Sequence, residues 1–179
     1  MILTLLDTNN NSGASTSEFT SNLDGTYDEY MFVTTNFNPS AETSLTFQVS
    51  TDGGSSYGVT ATTTTFDAHN FEQVSGGSPD LSYDTGQDIA SGTGEVALQW
   101  STGSGGDESH SGILHLFNPA STTYVKHFYS QISAYRGDDS NTHAFVAGYF
   151  NTTSAINAIR WHPGSGKTFD SVIQMYGVA

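Results

Sequence analysis

Apolar and polar residues alternate with a period of two along much of the chain. In the segments 44–50 and 95–101, Leu, Phe, Val or Trp occupies every second position, and polar residues or Ala occupy the positions between. Successive side chains of a β-strand point to opposite faces, so each segment is predicted to be a strand with one buried face.

The same pattern predicts about nine strands, or ten with a short first one, separated by turns rich in Gly, Asn, Asp and Pro. The predicted strands are 2–6, 27–37, 44–50, 57–66, 95–101, 112–117, 124–135, 143–150, 156–162 and 171–178. Helical periodicity is nearly absent, and the one helix-start signal, Ser15 with Glu18, predicts no more than a turn or two. We therefore expect an all-β fold, an antiparallel, jelly-roll-like β-sandwich over residues 27–179, preceded by an N-terminal arm over residues 1–26.

Two predicted strands, 27–37 and 124–135, carry apolar residues on both faces. Such a strand covers a core with one face and something else with the other, for which a neighbouring subunit is a candidate. We expect Tyr30, Phe32 and Phe128 to lie at a contact between subunits.

The C-terminal stretch INAIRWHPGSGKTFDSVIQMYGVA places two apolar runs on either side of a Pro- and Gly-rich connection. This pattern predicts a closing hairpin in which the last strand lies beside the preceding one. Arg160, a rare cation on a predicted strand, is expected to meet a carboxylate within the chain or across a subunit boundary.

The charge of the chain limits its partners. Four Lys and Arg residues against 18 Asp and Glu residues give a formal net charge of −14 over 179 residues. Such a surface repels a phosphate backbone, so nucleic acid is not an expected partner. No apolar run approaches the roughly 18 residues of a membrane span, so we expect no membrane partner.

Motifs for catalysis or metal binding are missing from the sequence. There is no cysteine, the six histidines form no metal-binding spacing, and no nucleophile elbow follows a strand. The expectation is a protein that is not an enzyme and has no catalytic residue, cofactor or metal site. A β-sandwich hydrolase and a loop calcium site remain weaker alternatives. Exposed aromatic residues can also stack on sugars, and Tyr57, Tyr83 and Tyr135 are the candidates for a glycan site.

Four pieces of the sequence, in order, resemble a family of tailed-bacteriophage virion proteins found on capsids or tail fibres. They are YMFVTTNFNPS, LTFQVSTDGGSSY, SGILHLFNPAST and INAIRWHPGSGKTFDSVIQMYGVA, and they span most of residues 27–179. The resemblance implies a jelly-roll-like structural protein, often trimeric, and supplies no catalytic residue. In the last loop, where the family usually has Asn before an apolar residue, this chain has Lys167, Thr168 and Phe169.

From the pattern and the resemblance we expect a capsid decoration, or cement, protein on the outer surface of a virion. Its expected partners are further copies of itself, as a homotrimer, and the major capsid protein. The expected capsid-binding residues lie at the tip of the arm: Ile2, Leu3, Leu5 and Leu6. The expected trimer contacts are Tyr30, Phe32, Phe128 and Arg160. The alternative is a tail-fibre or receptor-binding module that recognises a glycan.

Overall fold

The computed structural model describes residues 2–73 and 77–179. Every regular element in that part of the chain is a β-strand, so no helix there could cross a bilayer. The strands are β1 (Leu3–Ala14), β2 (Ser17–Phe19), β3 (Glu29–Pro39), β4 (Thr43–Ser50), β5 (Ala61–Phe71), β6 (Asp80–Tyr83), β7 (Val96–Thr102), β8 (His110–Phe117), β9 (Lys126–Arg136), β10 (Ser140–Phe150), β11 (Ala158–Pro163) and β12 (Phe169–Val178).

These strands form two antiparallel sheets packed face to face. The larger sheet has eight strands in the order β1-β12-β3-β8-β9-β10-β5-β6, and the smaller has four in the order β2-β11-β4-β7. The structure therefore confirms the prediction of an all-β sandwich. Most predicted strands reappear with ends shifted by a few residues. In the predicted strand 57–66, only the second half forms a strand, because β5 begins at Ala61.

Aromatic side chains from both sheets fill the space between them. Trp161 of the smaller sheet is fully buried, with its ring centroid 5.0 Å from that of Phe32 and 5.8 Å from that of Phe19. Farther along, the Phe47 ring meets Phe128 edge-on with centroids 5.1 Å apart. Edge-to-face pairs at these separations are favourable beyond the area they bury, so these rings tie the two sheets together.

This packing corrects the prediction for three trimer-contact residues. Tyr30, Phe32 and Phe128 are at most 2% exposed in the single chain. Phe32 and Phe128 pack on rings of the smaller sheet, and the Tyr30 hydroxyl lies 3.0 Å from Asp24 Oδ1. The prediction that these strands are apolar on both faces was right, but these residues lie on the inner face. They have no surface left to offer another subunit.

The N-terminal segment is part of the sandwich, which corrects the predicted arm. β1 pairs with β12 from Leu3 opposite Val178 to Ala14 opposite Phe169. β2 forms where a helical turn was expected, and it pairs with β11 through Glu18 opposite Arg160. The connection after β2 also contributes to the core, because the Leu23 side chain is 3% exposed.

The C-terminal stretch is not a hairpin, which corrects a third prediction. β11 pairs with β2 and β4 in the smaller sheet, whereas β12 pairs with β1 and β3 in the larger one. Residues 164–168 therefore carry the chain from one sheet to the other. Gly166 has φ 75°, a conformation that glycine adopts without the steric cost of a side chain.

Gly112 tests how tightly the larger sheet is packed. A Cβ at this position would overlap the backbone of Gln131 and Ile132 on β9. We expect Gly112→Ala to lower the free energy of unfolding by about 1–3 kcal/mol, as other overpacking substitutions do. Urea denaturation measures this change.

Gly106→Ala is the matched control, because a Cβ there meets nothing within 4 Å. The control should stay within about 0.5 kcal/mol of the wild type or gain slightly, since a loop alanine restricts the unfolded chain. Equal stabilities for the two variants would contradict the packing described.

Candidate functional site

The side of the larger sheet that points away from the smaller sheet, here called the outer face, holds most of the exposed hydrophobic surface. Eight large hydrophobic residues are exposed in the described part of the chain. Two of them, Ile2 and Tyr124, lie outside the strands. The other six lie on the outer face: Leu3, Leu5, Phe66, Leu81, Tyr83 and Tyr129. Single exposed hydrophobics are ordinary, but six on one side of a sheet make that side a candidate surface for interaction.

Charge is absent from more than half of the outer face. In the described strands β8, β9, β10, β5 and β6, the outward positions alternate with buried ones and contain no Asp, Glu, Lys or Arg. The charged residues of these strands, among them Lys126 and Asp67, point inward, and the Lys126 side chain is fully buried. In a chain with a net charge of −14, a sheet surface without charge is a specific feature of the sequence.

Aromatic rings stand in rows across this charge-free region. The rings of Phe66 and Phe145 stack at 4.7 Å and 7°. His115 stacks on Tyr129 at 4.6 Å and 17°, and its Nδ1 lies 2.5 Å from Glu29 Oε1. In each pair the two rings pack face to face.

Small side chains leave a groove between the rows. Ala147 on β10 lies opposite Thr64 on β5 and Tyr129 on β9. Two adjoining concavities of about 180 and 410 Å³ share these three residues, with Phe66 and Phe145 lining the first and Tyr149 lining the second. Aromatic residues therefore form the sides of the groove, and small residues form its floor.

The other part of the outer face, on β1, β12 and β3, is mixed in character. Its outward positions hold the apolar residues Leu3, Leu5, Met31, Val33, Tyr176 and Val178, and also the acidic residues Glu29 and Asp170. The aromatic half comprises Phe66, Leu81, Tyr83, Phe145 and Tyr149, on β10, β5 and β6. The two halves meet at the central strands β8 and β9, where His115 lies beside Tyr129.

The four residues predicted to bind the capsid are divided by the fold. Leu3 and Leu5 lie on the outer face, 46% and 51% exposed. A bulge between Leu5 and Asp7 changes the alternation, and Leu6 packs against the core. Ile2 exchanges backbone hydrogen bonds with Ala179 and leaves its side chain exposed. The segment pairs with its own chain, and only two of the four side chains join the apolar patch.

Arg160 meets the predicted carboxylate only at long range. One Nη lies 4.0 Å from Glu18 Oε1, whereas the other donates a 2.7 Å hydrogen bond to Gln48 Oε1. The guanidinium also stacks over the Tyr57 ring at 4.1 Å. Arg160 thus joins the strands β2, β4 and β11 within one chain, and the structure gives it no place on the outer face.

The three tyrosines predicted for a glycan site lie apart. Tyr57 is covered by Arg160, and the Tyr135 hydroxyl donates to Asp139 Oδ1 at 3.2 Å. Tyr83 lies on the outer face at β6, 62% exposed, with its hydroxyl bonded to Asp88 Oδ2 at 2.5 Å. Tyr135 lies at an outward position of β9, which β10 and β5 separate from β6. These three tyrosines therefore do not form one site, and two of them, Tyr83 and Tyr135, lie on strands instead of loops.

No group of three metal-ligating side chains occurs among the described residues. The chain has no significant match among protein-family models, curated proteins or solved structures.

The alternation pattern of the sequence contains the aromatic residues of the outer face, but it did not identify them as one group. In HAFVAGY, residues 143–149, apolar side chains fill both sets of alternate positions, as they do in segments 27–37 and 124–135. Counting charges separately on each set of alternate positions would have found the face in β5, β6 and β9, because the charges of these strands fall on one set only.

His110 is the titratable group most perturbed by burial. It lies in the core, stacked on Phe37 at 4.4 Å, with its Nδ1 2.6 Å from Thr102 Oγ1. Burial lowers the pKa of His110 from 6.5 to about 3, because the charged imidazolium would lose its hydration.

This shift predicts that the wild type loses stability as the pH falls from 6.5 towards 3. In that window the unfolded chain binds a proton at this position and the folded chain does not, so stability falls by about 1.4 kcal/mol per pH unit. We expect a shallower pH dependence for His110→Phe, which keeps the ring and cannot titrate. Urea denaturation at several pH values measures the slopes.

His127→Phe is the control, because it makes the same replacement at an exposed position on β9. Parallel pH profiles for the wild type and His110→Phe would show that the buried ring takes up its proton without unfolding.

Proposed function

We propose that this chain is a structural protein of a tailed-phage virion that decorates the outer surface of the capsid as a homotrimer. The observation that carries the proposal is the outer face, which holds six exposed hydrophobic residues and is free of charge over β8, β9, β10, β5 and β6, because such a surface in an otherwise acidic chain suits contact with protein. The order of the four sequence pieces that resemble phage virion proteins supports the virion as the location. The major capsid protein is the proposed second partner.

The proposed mechanism is stabilisation by added buried surface. A trimer seated across several capsid subunits must be released before the shell can expand or split, which favours the intact shell by mass action. Several contacts made together also slow dissociation far beyond the rate for one contact. Such a role requires binding surfaces and a rigid fold, and it requires no catalysed reaction.

The copy number of the protein in purified particles tests this proposal. We expect an amount comparable with that of the major capsid protein, measured by quantitative mass spectrometry of intact particles. A copy number of a few per particle would indicate a tail appendage, and absence from the particles would refute a virion role.

A second candidate, glycan recognition, is favoured by the groove over Ala147 and Thr64. Aromatic side walls suit the apolar faces of a pyranose ring, and the Tyr83 hydroxyl with Asp88 supplies polar partners at one end. This site would occupy the same surface as a subunit contact, so one use of the groove excludes the other in an assembled trimer.

Filling the groove tests the second candidate. If the chain binds glycans there, Ala147→Trp should abolish the signal on a glycan array, because the indole would occupy the floor of the groove. Tyr124→Ala, which removes an exposed aromatic residue outside the strands, should leave the signal unchanged. No binding by the wild type, or equal binding by both variants, would contradict this use.

A further inference from the structure

We infer that a cavity beside the connection between β11 and β12, here called the crossover cavity, binds an anionic group, a carboxylate or a phosphate, on a molecule about the size of a monosaccharide. The cavity holds about 430 Å³ and lies beside β2, an edge strand of the smaller sheet. None of its lining residues belongs to the outer face, and anion binding there does not depend on the virion role proposed above.

Three segments of the chain form the crossover cavity. The connection between β1 and β2 supplies Ser15 and Thr16, β11 supplies Arg160 and His162 among others, and residues 164–168 complete the wall. β2 and β11 pair in the smaller sheet, which brings the first two segments side by side. The segments lie far apart in the sequence, so only the fold gathers their polar groups at one place.

Positive charge in this chain is concentrated at the crossover cavity. Arg160 and Lys167 are two of only four Lys and Arg residues, and both line it. Of the other two, Lys126 is fully buried and Arg136 lies 3.6 Å from Asp138. Because the net charge of −14 repels anions from most of the surface, two cations at one cavity favour an anionic ligand there.

The Lys167 ammonium keeps donors for a ligand. It donates a 3.0 Å hydrogen bond to the backbone carbonyl of Glu42, and within the described residues it has no carboxylate partner at ion-pair distance. The Glu42 carboxylate accepts instead from the Ser101 hydroxyl. Nearby Glu95 contacts His162 Nε2 at 3.2 Å. An ammonium has three N–H donors, so two of those of Lys167 remain for an anion.

Arg160 is fixed by its neighbours and is only partly neutralised. One Nη donates to Gln48 Oε1 at 2.7 Å, and the guanidinium lies over the Tyr57 ring at 4.1 Å. Glu18 Oε1, at 4.0 Å from the other Nη, is too far for a hydrogen bond. A guanidinium held in this way keeps positive charge at the cavity, and its planar donors match the oxygens of a carboxylate or phosphate.

Neutral donors complete the set. The hydroxyls of Ser15, Thr16 and Ser165 line the cavity, and the backbone N–H groups of Ser165 and Gly166 belong to its wall. None of these groups has a hydrogen-bond partner in the part of the chain that the structure describes. The volume falls in the range of small-molecule sites, roughly 300–1,000 Å³, and exceeds the needs of a bare ion. The anionic group is therefore expected on a larger, polar molecule.

The sequence of the loop excludes one class of anion. Gly166, Lys167 and Thr168 follow each other as at the end of a nucleotide-binding P-loop. The first glycine of that motif is replaced by Trp161, and the strand β12 follows where a P-loop has a helix. Without a helix N-terminus facing the phosphates, a nucleoside triphosphate is not the ligand.

Titration with two anions and a neutral sugar tests the inference. The probes are inorganic phosphate, glucuronate and glucose, followed by the amide NMR shifts of the protein. We expect phosphate, glucuronate or both to give saturable shifts at residues 164–168 at millimolar concentration or below, and glucose to give none. The anion that saturates identifies the group. Saturation by neither, shifts spread over the surface, or equal binding of glucose would overturn the inference.

Charge-removing substitutions locate the binding. Lys167→Gln should weaken it by about tenfold or more, the loss expected for one hydrogen bond to a charged group, and Lys167→Arg should keep most of it. Arg136→Gln, which removes the same charge outside the cavity, should leave the affinity unchanged. Lys167 lies in a loop, so its replacement keeps the test valid if Arg160→Gln fails to fold. Equal weakening by Lys167→Gln and Arg136→Gln would contradict a defined site.

Discussion

The packing of an eight-stranded sheet on a four-stranded sheet is the constraint on which the rest of the structure depends. Trp161, Phe19 and Phe32 join the sheets at one place, and Phe47 and Phe128 join them at another. Only one face of the larger sheet takes part in this core. Its strands nevertheless carry apolar residues on both faces, so the core of the single chain leaves a second apolar surface exposed to water. The outer face exists because the strands of the larger sheet carry apolar residues on both faces and the smaller sheet covers only one of them.

The distribution of charged residues indicates how this surface is used. Two charged side chains of β9 and β5, Lys126 and Asp67, are turned inward at a cost in hydration; Lys126 is fully buried and donates a 3.1 Å hydrogen bond to the Thr152 carbonyl. Burial lowers the pKa of this amine for the same reason. A cation at an outward position would be easier to hydrate, and its placement inside is consistent with an outer face kept free of charge. Contact with another protein is the use that such a face suits best.

Alternation was enough to predict every described strand except β2 and β6, because strand periodicity depends only on neighbouring residues. It could not decide which face of a two-sided apolar strand is inner, so Tyr30 and Phe32 were assigned to the wrong side while Met31 and Val33 point outward. Turn residues likewise show that the chain reverses, but not which sheet it enters next. The Pro- and Gly-rich connection before β12 was therefore predicted to close a hairpin, although it crosses between sheets. The bulge after Leu5, which sends Leu6 to the core, has no signature in the sequence pattern.

The molar mass of the wild-type protein in solution tests the central claim most directly. Because the outer face is apolar and free of charge over most of its width, we expect three chains of 19.1 kDa to remain associated in both low and high salt. Light scattering coupled to size-exclusion chromatography measures this at each ionic strength. A mass of one chain under both conditions would contradict the account, because the apolar outer face would then remain exposed to water.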